Sequence, residues 1–459
     1  MSARPRVVVT GAGIVSNLGT DLESFWRACL AGRSIVEELP PAWPRRSRLR
    51  SRFWSPLGNW ERETPLLGRF ERKQADPVSR IALLAAESAL RQAGVELRLA
   101  DAKRNAYRLE GVAGDRAGVF LGTGVGGIHT CLESSRFLVL DQPRKALEQA
   151  AASSNDPATV AAINAVLADL EAPHVLNPFS VAMTMPNAAA ALLSVKLGLC
   201  GPSLTFTCAC ASGTVALGRA FRALCQGECD FALAGGAEFL SDPYGCSFRG
   251  FDALGVLANG PRPAQEVNRP FDRERSGFLF SEGGGALLVL EEREHARRRN
   301  ATVLAEVRGY GETADAYSLT AMAPGGGQIR RAIELCLADA GFLPEEVDYV
   351  NAHGTGTSTN DDLECRVLSE VFSPRVRVNS TKSLLGHTLG ASGAFEAVAT
   401  VLTLQGGIAH PSRNLSEPIA GLAFVTEAEA IQAERAISQS FAFGGQNAVL
   451  AFARPGLAG

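Results

Sequence analysis

Short β-branched runs that end in Gly or Thr alternate along this chain with Ala/Leu-rich stretches of helical period, the pattern of an α/β protein. The first run, Arg6-Val-Val-Val-Thr10, predicts a strand leading into a glycine turn at Gly11-Ala12-Gly13. That turn is no dinucleotide fingerprint, because Ser16 stands where G-x-G-x-x-G needs its third glycine. Helical spacing over 77–94, a strand at 117–122 and a loop at 123–127 return in the same order as a helix at 327–341, a strand at 347–351 and a loop at 353–357. Likewise, residues 203–210 running into a helix at 211–224 are echoed by 376–382 running into 390–404. These echoes predict a duplicated chain, each half a strand-helix layer, with the glycine loops meeting at the seam.

Two stretches break the rhythm. Residues 40–75 carry Pro41-Ala-Trp-Pro44, Arg45-Arg46 and Arg69-Phe-Glu-Arg-Lys73, and read as surface loops with a basic patch. Residues 139–175, with Ala150-Ala151-Ala152, a Ser-Ser-Asn-Asp-Pro break at 153–157 and a second Ala-rich run, read as an inserted helical hairpin or cap.

With 459 residues, 46% hydrophobic and 20% charged, the chain has apolar material for one large α/β unit or two intimately packed ones. A net charge of -3 gives no electrostatic ground for a nucleic-acid or membrane partner. The ten cysteines (29, 131, 200, 208, 210, 225, 229, 246, 336, 365) are scattered through apolar runs and read as reduced thiols. Neither Cys225-x3-Cys229 nor Cys208-x-Cys210 has a partner pair at zinc spacing, and the six histidines are not grouped, so no metal site is expected. No apolar run reaches the roughly 18 residues of a membrane span. The N-terminus lacks a basic-then-apolar export signal, so a cytoplasmic location is expected.

Composition leaves the chemistry to local motifs. Thr207-Cys208-Ala209-Cys210-Ala211-Ser212-Gly213 puts a cysteine where a helix begins, since Val215, Leu217, Ala220, Phe221 and Leu224 recur behind it at helical spacing. A helix N-terminus favours the thiolate, so a lowered pKa is expected for Cys210. A strand-turn-helix elbow also presents a nucleophile and aims backbone N–H groups at an oxyanion. Taken singly, Cys210 reads as well as a buried core cysteine, and Cys208 belongs to the strand. Two distant histidines sit in Asn351-Ala352-His353-Gly354-Thr355-Gly356-Thr357 and Lys382-Ser383-Leu384-Leu385-Gly386-His387, glycine-rich loops that the duplicated layout turns towards the cysteine. A sulfur nucleophile between two imidazoles is the constellation of an acyl-transfer site.

At this point the chain resembles a family: the β-ketoacyl-acyl carrier protein synthases of the elongating Cys-His-His type, within the thiolase superfamily. The likeness runs almost end to end, through Val7-Val-Val-Thr-Gly-Ala-Gly-Ile-Val-Ser16, Gly122-Thr-Gly-Val-Gly-Gly127, the cysteine motif, Asp230-Phe-Ala-Leu-Ala-Gly-Gly-Ala-Glu238 and Arg269-Pro-Phe-Asp-Arg-Glu-Arg-Ser-Gly-Phe278. It continues through Asn351-Ala-His-Gly-Thr355, Ser380-Thr-Lys-Ser383 with Gly386-His387, and Ser440-Phe-Ala-Phe-Gly-Gly445.

The resemblance implies an α/β, thiolase-like duplicated five-layer αβαβα architecture, with halves at 1–265, carrying Cys210 and the 139–175 insertion, and 266–459, carrying His353 and His387. It implies that Cys210 takes an acyl chain from acyl carrier protein as a thioester. Malonyl-carrier protein then loses carbon dioxide and its enolate attacks the acyl-enzyme, with His353 and His387 promoting decarboxylation and their individual roles open. It further implies that Lys382 orients the histidine loop by pairing with Glu396, and that the N–H groups of Cys210 and Phe443 form the oxyanion hole. Thr355 and Thr357 are then the hydroxyls that bind the phosphopantetheine arm. That arm belongs to the carrier, and no cofactor of the chain's own is expected.

The chain also departs from that pattern. The gating loop, usually Gly-Phe-Gly-Gly, is here Phe441-Ala442-Phe443-Gly444-Gly445, and Ala442 resists a swing through positive φ. Val125 stands where the family often carries a larger aliphatic residue in the acyl pocket, and the 139–175 insertion falls where the family builds its dimer interface and pocket floor. An unusual acyl substrate, polyketide-like or polyunsaturated, is therefore expected. Arg69, Arg72 and Lys73 read either as a contact for the acidic face of a carrier protein or as a solvated cluster. The chain reads as free-standing and as a homodimer or a heterodimer with a related subunit. Two alternatives stay open: the catalytic half of a ketosynthase/chain-length-factor pair, or a non-condensing partner subunit, which typically lacks the nucleophilic cysteine.

Overall fold

A computed structural model describes residues 4–457 except 42, 44, 45, 170–175 and 243. Among these residues the main sheet has eleven strands: β1 (Val7–Val15), β2 (Ala117–Gly122), β3 (Ser203–Phe206), β4 (Phe231–Phe239), β5 (Gly283–Glu292), β6 (Ala305–Ala314), β7 (Tyr349–Asn351), β8 (Arg377–Asn379), β9 (Ala423–Phe424), β10 (Arg435–Phe441) and β11 (Gln446–Ala453). All nine residues of β1 and of β4 are buried. Strands covered on both faces must be apolar at every position, which is why these read in the sequence as unbroken hydrophobic runs.

The order across the sheet is β9-β8-β7-β10-β11-β6-β1-β5-β4-β2-β3. Outward from the antiparallel pair β1·β6, the set β1 to β5 runs first, fifth, fourth, second, third strand. The set β6, β7, β8, β10, β11 repeats that order, and β9 adds an edge to it. Pairing repeats as well: β2 is parallel to β3 and β4 as β7 is parallel to β8 and β10, and the other pairs within each set are antiparallel. The expected duplication is thus carried by the strand order. Because β5 is hydrogen-bonded between β1 and β4, the first set runs through Glu292, past the boundary expected at 265/266.

The helices that flank the sheet and the site include α1 (Pro77–Gln92), α2 (Ile128–Ser153), α3 (Pro157–Asp169), α4 (Ser212–Cys225), α5 (Gly327–Ala340), α6 (Ser358–Val371) and α7 (Ser392–Gly406). α1 packs on β1, β4 and β5, whereas α5 packs on β6 and β11. Between them lie α4, touching β2 and β4 of one set and β6 and β11 of the other, and α7, touching β10 of one and β5 of the other. α4 and α7 also touch each other, giving the five layers αβαβα. Every residue of α7 from Ser392 to Leu404 is buried, as a helix enclosed by two half-sheets requires.

Three local expectations change. Gly11 and Gly13 form no turn but lie inside β1, because α1 runs against them: a Cβ at Gly11 would sit 2.3 Å from the Ala89 carbonyl oxygen, and one at Gly13 2.0 Å from that of Ala85. Within 40–75, Phe53, Trp54, Leu57, Trp60, Leu66 and Leu67 are buried, and the basic run forms a short helix, Arg69–Gln74. Pro44 and Arg45 lie outside the described residues. The insertion is a helical hairpin of α2 packed on α3, starting at Ile128, ahead of residue 139, and its residues 170–175 lie outside the described residues. Asp76 pins the base of the hairpin: it accepts from Val78 N at 3.0 Å to cap α1, and from Thr130 N and Oγ1 at 2.9 and 2.7 Å. Among the described residues no helix is long and apolar enough to cross a membrane.

Candidate active site

β3 ends at Phe206, and the chain then turns through a 3-10 segment, Ala209–Ala211, into α4. Ala209 has φ +45°, a left-handed conformation that costs a non-glycine residue roughly 1–2 kcal/mol. Ser212 holds the elbow in shape: its Oγ accepts from Cys208 N at 2.8 Å and donates to Ala209 O at 2.7 Å. The same device precedes α7, where Leu389–Ala391 is a 3-10 segment and Leu389 has φ +45°. Ala211-Ser212-Gly213 and Ala391-Ser392-Gly393 match residue for residue, so Gly390 occupies in the second elbow the place of Cys210 in the first. Both glycines are forced by the crossing of α4 and α7: a Cβ at Gly213 would lie 2.8 Å from Ala394 N, and one at Gly393 2.0 Å from Thr214 Oγ1.

Cys210 is buried, with its Sγ 3.0 Å from His387 Nε2. The other ring nitrogen, Nδ1, lies 2.9 Å from Ser392 Oγ, and His387 N donates to Leu279 O at 2.7 Å. A hydroxyl both donates and accepts, so Ser392 leaves His387 Nε2 free to accept a proton or to give one. His353 is fixed differently. Lys382 Nζ lies 3.1 Å from its Nδ1 and donates to its carbonyl oxygen at 2.7 Å, while Nζ is also paired with Glu396. An ammonium only donates, so His353 Nδ1 is an acceptor and the ring proton sits on Nε2. The two rings stand 5.8 Å apart and nearly perpendicular, at 85°.

Beneath the His353 loop, Glu364 on α6 accepts from His353 N at 2.7 Å and Gly354 N at 2.8 Å, and Asp361, one turn earlier, accepts from Thr355 N at 3.1 Å. The sequence reading missed Ser392 and Glu364. The repeated Ala-Ser-Gly and the i, i+3 carboxylates of α6 were their signals.

Burial pushes the Cys210 thiol up to about 11, although Lys382 and the backbone N–H groups of Phe443 and of Cys210 itself pull it down. This corrects the lowered value expected from a helix start, since desolvation outweighs the terminal amides. Burial, with Lys382 and then His387 adding, holds His353 well below 6.5, and burial with Lys382 does the same to His387. Burial also raises Glu396 to about 7 against the pull of Lys382. Lowered imidazole pKa values mean that charge appears only as pH falls past the ordinary histidine range. The acid limb of kcat/KM is therefore expected well below pH 6.5 in a pH-rate profile; a limb centred at 6.5 contradicts this arrangement.

A cavity of about 160 Å³ joins Cys210, His353, His387, Thr355, Thr357, Phe441, Ala442 and Phe443. Thr355 Oγ1 and Thr357 Oγ1 are 2.9 Å apart in its wall. Phe441 ends β10 with its ring 5.7 Å from that of His353, and the Phe443 ring lies 6.4 Å from that of Phe251. In the 441–445 loop the positive φ values fall on Gly444 (+86°) and Gly445 (+78°), and Ala442 has none. Gly444 N donates to Leu319 O and Gly445 O accepts from Asp315 N, each at 2.8 Å, so this loop is tied to residues 315–319.

Three expected site residues, Val125, Lys382 and Glu396, stand apart from this cavity. Val125 is 42% exposed and outside the wall, and Glu396 is buried behind His353 as the partner of Lys382. Arg72 and Lys73 line a separate cavity of about 580 Å³ against α2 and residues 176–179.

Residues 4–296 match the family model for the Beta-ketoacyl synthase N-terminal domain, and residues 304–416 that for the C-terminal domain. The chain is 33% identical to 3-oxoacyl-(acyl-carrier-protein) synthase 2 of Coxiella burnetii, over 98% of both chains. Among solved structures it resembles the ishigamide ketosynthase/chain length factor (28% identity, TM-score 0.80, covering 99% of this chain and 100% of that one). It also resembles a chain of AntDE:AntF, a type II PKS acyl-carrier protein in complex with its ketosynthase bound to the hexaketide (27% identity, TM-score 0.76, covering 98% of this chain and 99% of that one). With both family models matched in order, a like fold over the full length, and a cysteine and two histidines in one cavity, the chain belongs to the β-ketoacyl synthase family.

Proposed function

We propose that this enzyme performs a decarboxylative Claisen condensation: an acyl group held on Cys210 is joined to malonyl-acyl carrier protein, giving β-ketoacyl-acyl carrier protein and carbon dioxide, in type II fatty acid or polyketide biosynthesis. The observation that carries this reading is Cys210 Sγ, 3.0 Å from His387 Nε2, in one cavity with the perpendicular His353 ring. In the first half-reaction Sγ attacks the acyl thioester carbonyl, its proton passes to His387 Nε2, and the carrier thiol leaves with that proton. The developing oxyanion is met by the N–H groups of Cys210 and Phe443, a device worth roughly 10²–10³ in rate per donor.

In the second half-reaction the malonyl C–C bond breaks, carbon dioxide leaves, and the electron pair passes to an enolate. The His353 Nε2–H is the donor to that enolate oxygen, because Lys382 holds Nδ1. The enolate carbon bonds to the acyl carbonyl carbon and the Cys210 thiolate leaves. Thr355 and Thr357 bind the phosphopantetheine arm, which arrives on the carrier.

Arg69, Arg72 and Lys73 form the contact for an acidic carrier face. Arg69 and Lys73 are exposed, whereas Arg72 is partly neutralised by Glu63 at 3.3 Å. A second copy or a related subunit covers the edge strand β3, where Leu204 is 48% exposed, together with exposed Val181, Met185 and Val195. The likeness to a ketosynthase/chain length factor supports a heterodimer as readily as a homodimer. The 139–175 hairpin supports an acyl guest outside the ordinary saturated series.

Incubation with saturated and polyunsaturated acyl-carrier proteins, read by mass spectrometry, is expected to give an acyl adduct on the Cys210 peptide that malonyl-carrier protein discharges. Failure of every acyl carrier to load Cys210 overturns the reading. A chain-length profile identical to that of a standard fatty-acid enzyme overturns the unusual guest alone.

A further inference from the structure

We propose that Glu238, at the end of β4, is a positioning residue that clamps the loop carrying Val125 to the turn carrying Leu389, and thereby sets the wall of the acyl cavity at Cys210. Its carboxylate is fully buried and accepts four hydrogen bonds. Oε1 takes Thr123 Oγ1 at 3.0 Å and Val125 N at 3.3 Å, and Oε2 takes Gly124 N at 2.6 Å and Gly390 N at 3.0 Å. Three of these donors belong to the loop after β2 and the fourth to the elbow before α7, so one side chain joins the two halves of the duplicated fold. Nothing else fits between them. A Cβ on Gly390 would lie 2.2 Å from Gly124 N, and one on Gly124 would lie 2.7 Å from Glu238 Oε2.

Both ends of the clamp reach the reacting sulfur's surroundings. Gly390 follows Leu389, which lines the Cys210 cavity in a left-handed conformation and needs its neighbour held to stay there. Thr123 O accepts from Ser212 Oγ at 3.2 Å, the hydroxyl that shapes the Cys210 elbow. His387, by contrast, has its own supports in Ser392 and Leu279 O. Loss of the clamp is therefore read by the acyl group more than by the decarboxylation machinery.

A carboxylate is the group the site requires. Each oxygen accepts from a backbone N–H, and an amide presents only one accepting oxygen, so glutamine in either orientation leaves a buried N–H facing another donor. Aspartate keeps four acceptor sites on a shorter stem.

The experiment compares full-length wild type, Glu238→Gln and Glu238→Asp for acylation of Cys210 across short to long acyl-carrier proteins, for malonyl-carrier decarboxylation and for melting temperature. In Glu238→Gln the long-to-short acylation ratio is expected to shift by about fivefold or more, with decarboxylation falling less than acylation; Glu238→Asp shifts it less. Thr123→Val, which removes one donor and leaves the carboxylate, is expected to move the ratio in the same direction and keeps the test valid if Glu238→Gln does not fold. Unchanged ratios, or a uniform fall of acylation and decarboxylation together, overturn the proposal. The inference rests on Cys210 being the acylated residue. A wild type that takes no acyl group refutes that reading, whereas a loaded wild type with an unmoved Glu238→Gln profile refutes only the clamp.

Discussion

Replacing Cys210 with alanine is expected to abolish the acyl adduct and to lower condensation by about 10³-fold or more, because no other group in the cavity can form the thioester. Malonyl-carrier decarboxylation is expected to persist in the same variant, since His353 keeps its Lys382 partner, His387 keeps Ser392, and the Phe443 N–H remains in the loop. Mass spectrometry and carbon dioxide release separate the two steps. Cys208 supplies the control: it is half-buried in a different cavity, against Arg219 and Glu312, so Cys208→Ala should still load acyl on Cys210. Condensation by Cys210→Ala within tenfold of wild type, or an adduct on Cys208, ends the case for this nucleophile.

The second large effect is expected at Lys382. Lys382→Met keeps the stem's volume but strips the cation from a pair whose side chains are 3% and 1% exposed, so that the Glu396 carboxyl, already raised by burial, loses the pull that opposes its protonation. Removing one partner of such a pair costs about 3–5 kcal/mol, so the urea midpoint should fall clearly. His353 loses its Nδ1 donor at the same time, its tautomer is no longer fixed, and decarboxylation should drop by about 10²-fold. Adding Glu396→Gln removes the buried carboxyl left without its cation. It should return part of the stability and none of the decarboxylation. Equal stability of the single and double variants would show that the pair does not govern the fold here, and wild-type decarboxylation in Lys382→Met would remove Lys382 from the site.

Much of this site was legible because its motifs sit at the ends of strands and the starts of helices, where local sequence and local geometry coincide. Cys210 before α4, His353 after β7 and His387 before α7 were all readable as glycine-flanked residues at element boundaries. What failed were readings that treated a segment without its neighbours. Gly11-Ala12-Gly13 looked like a turn, yet the backbone of α1 lies against it and makes it strand. The terminal amides of a helix start favour a low thiol pKa, but burial outweighs them at Cys210. Val125 shares its motif with the family's acyl pocket but in this structure is exposed and outside the cavity wall, a placement set by the loop's packing and not by its motif.

By itself the sequence determined the α/β class, the duplication, the positions of most central elements and the identity of the cysteine and the two histidines. Those follow from periodicity and from residue chemistry, which are local. Only the tertiary structure decided which nitrogens face the reaction, because Lys382, 29 residues away in sequence, sets the tautomer of His353, and the meeting of His387 Nε2 with Cys210 Sγ spans 177 residues. It alone also gathered Thr123, Gly124, Val125 and Gly390 on Glu238. Such contacts depend on the crossing of α4 and α7 between two half-sheets, a long-range packing that no window along the chain contains.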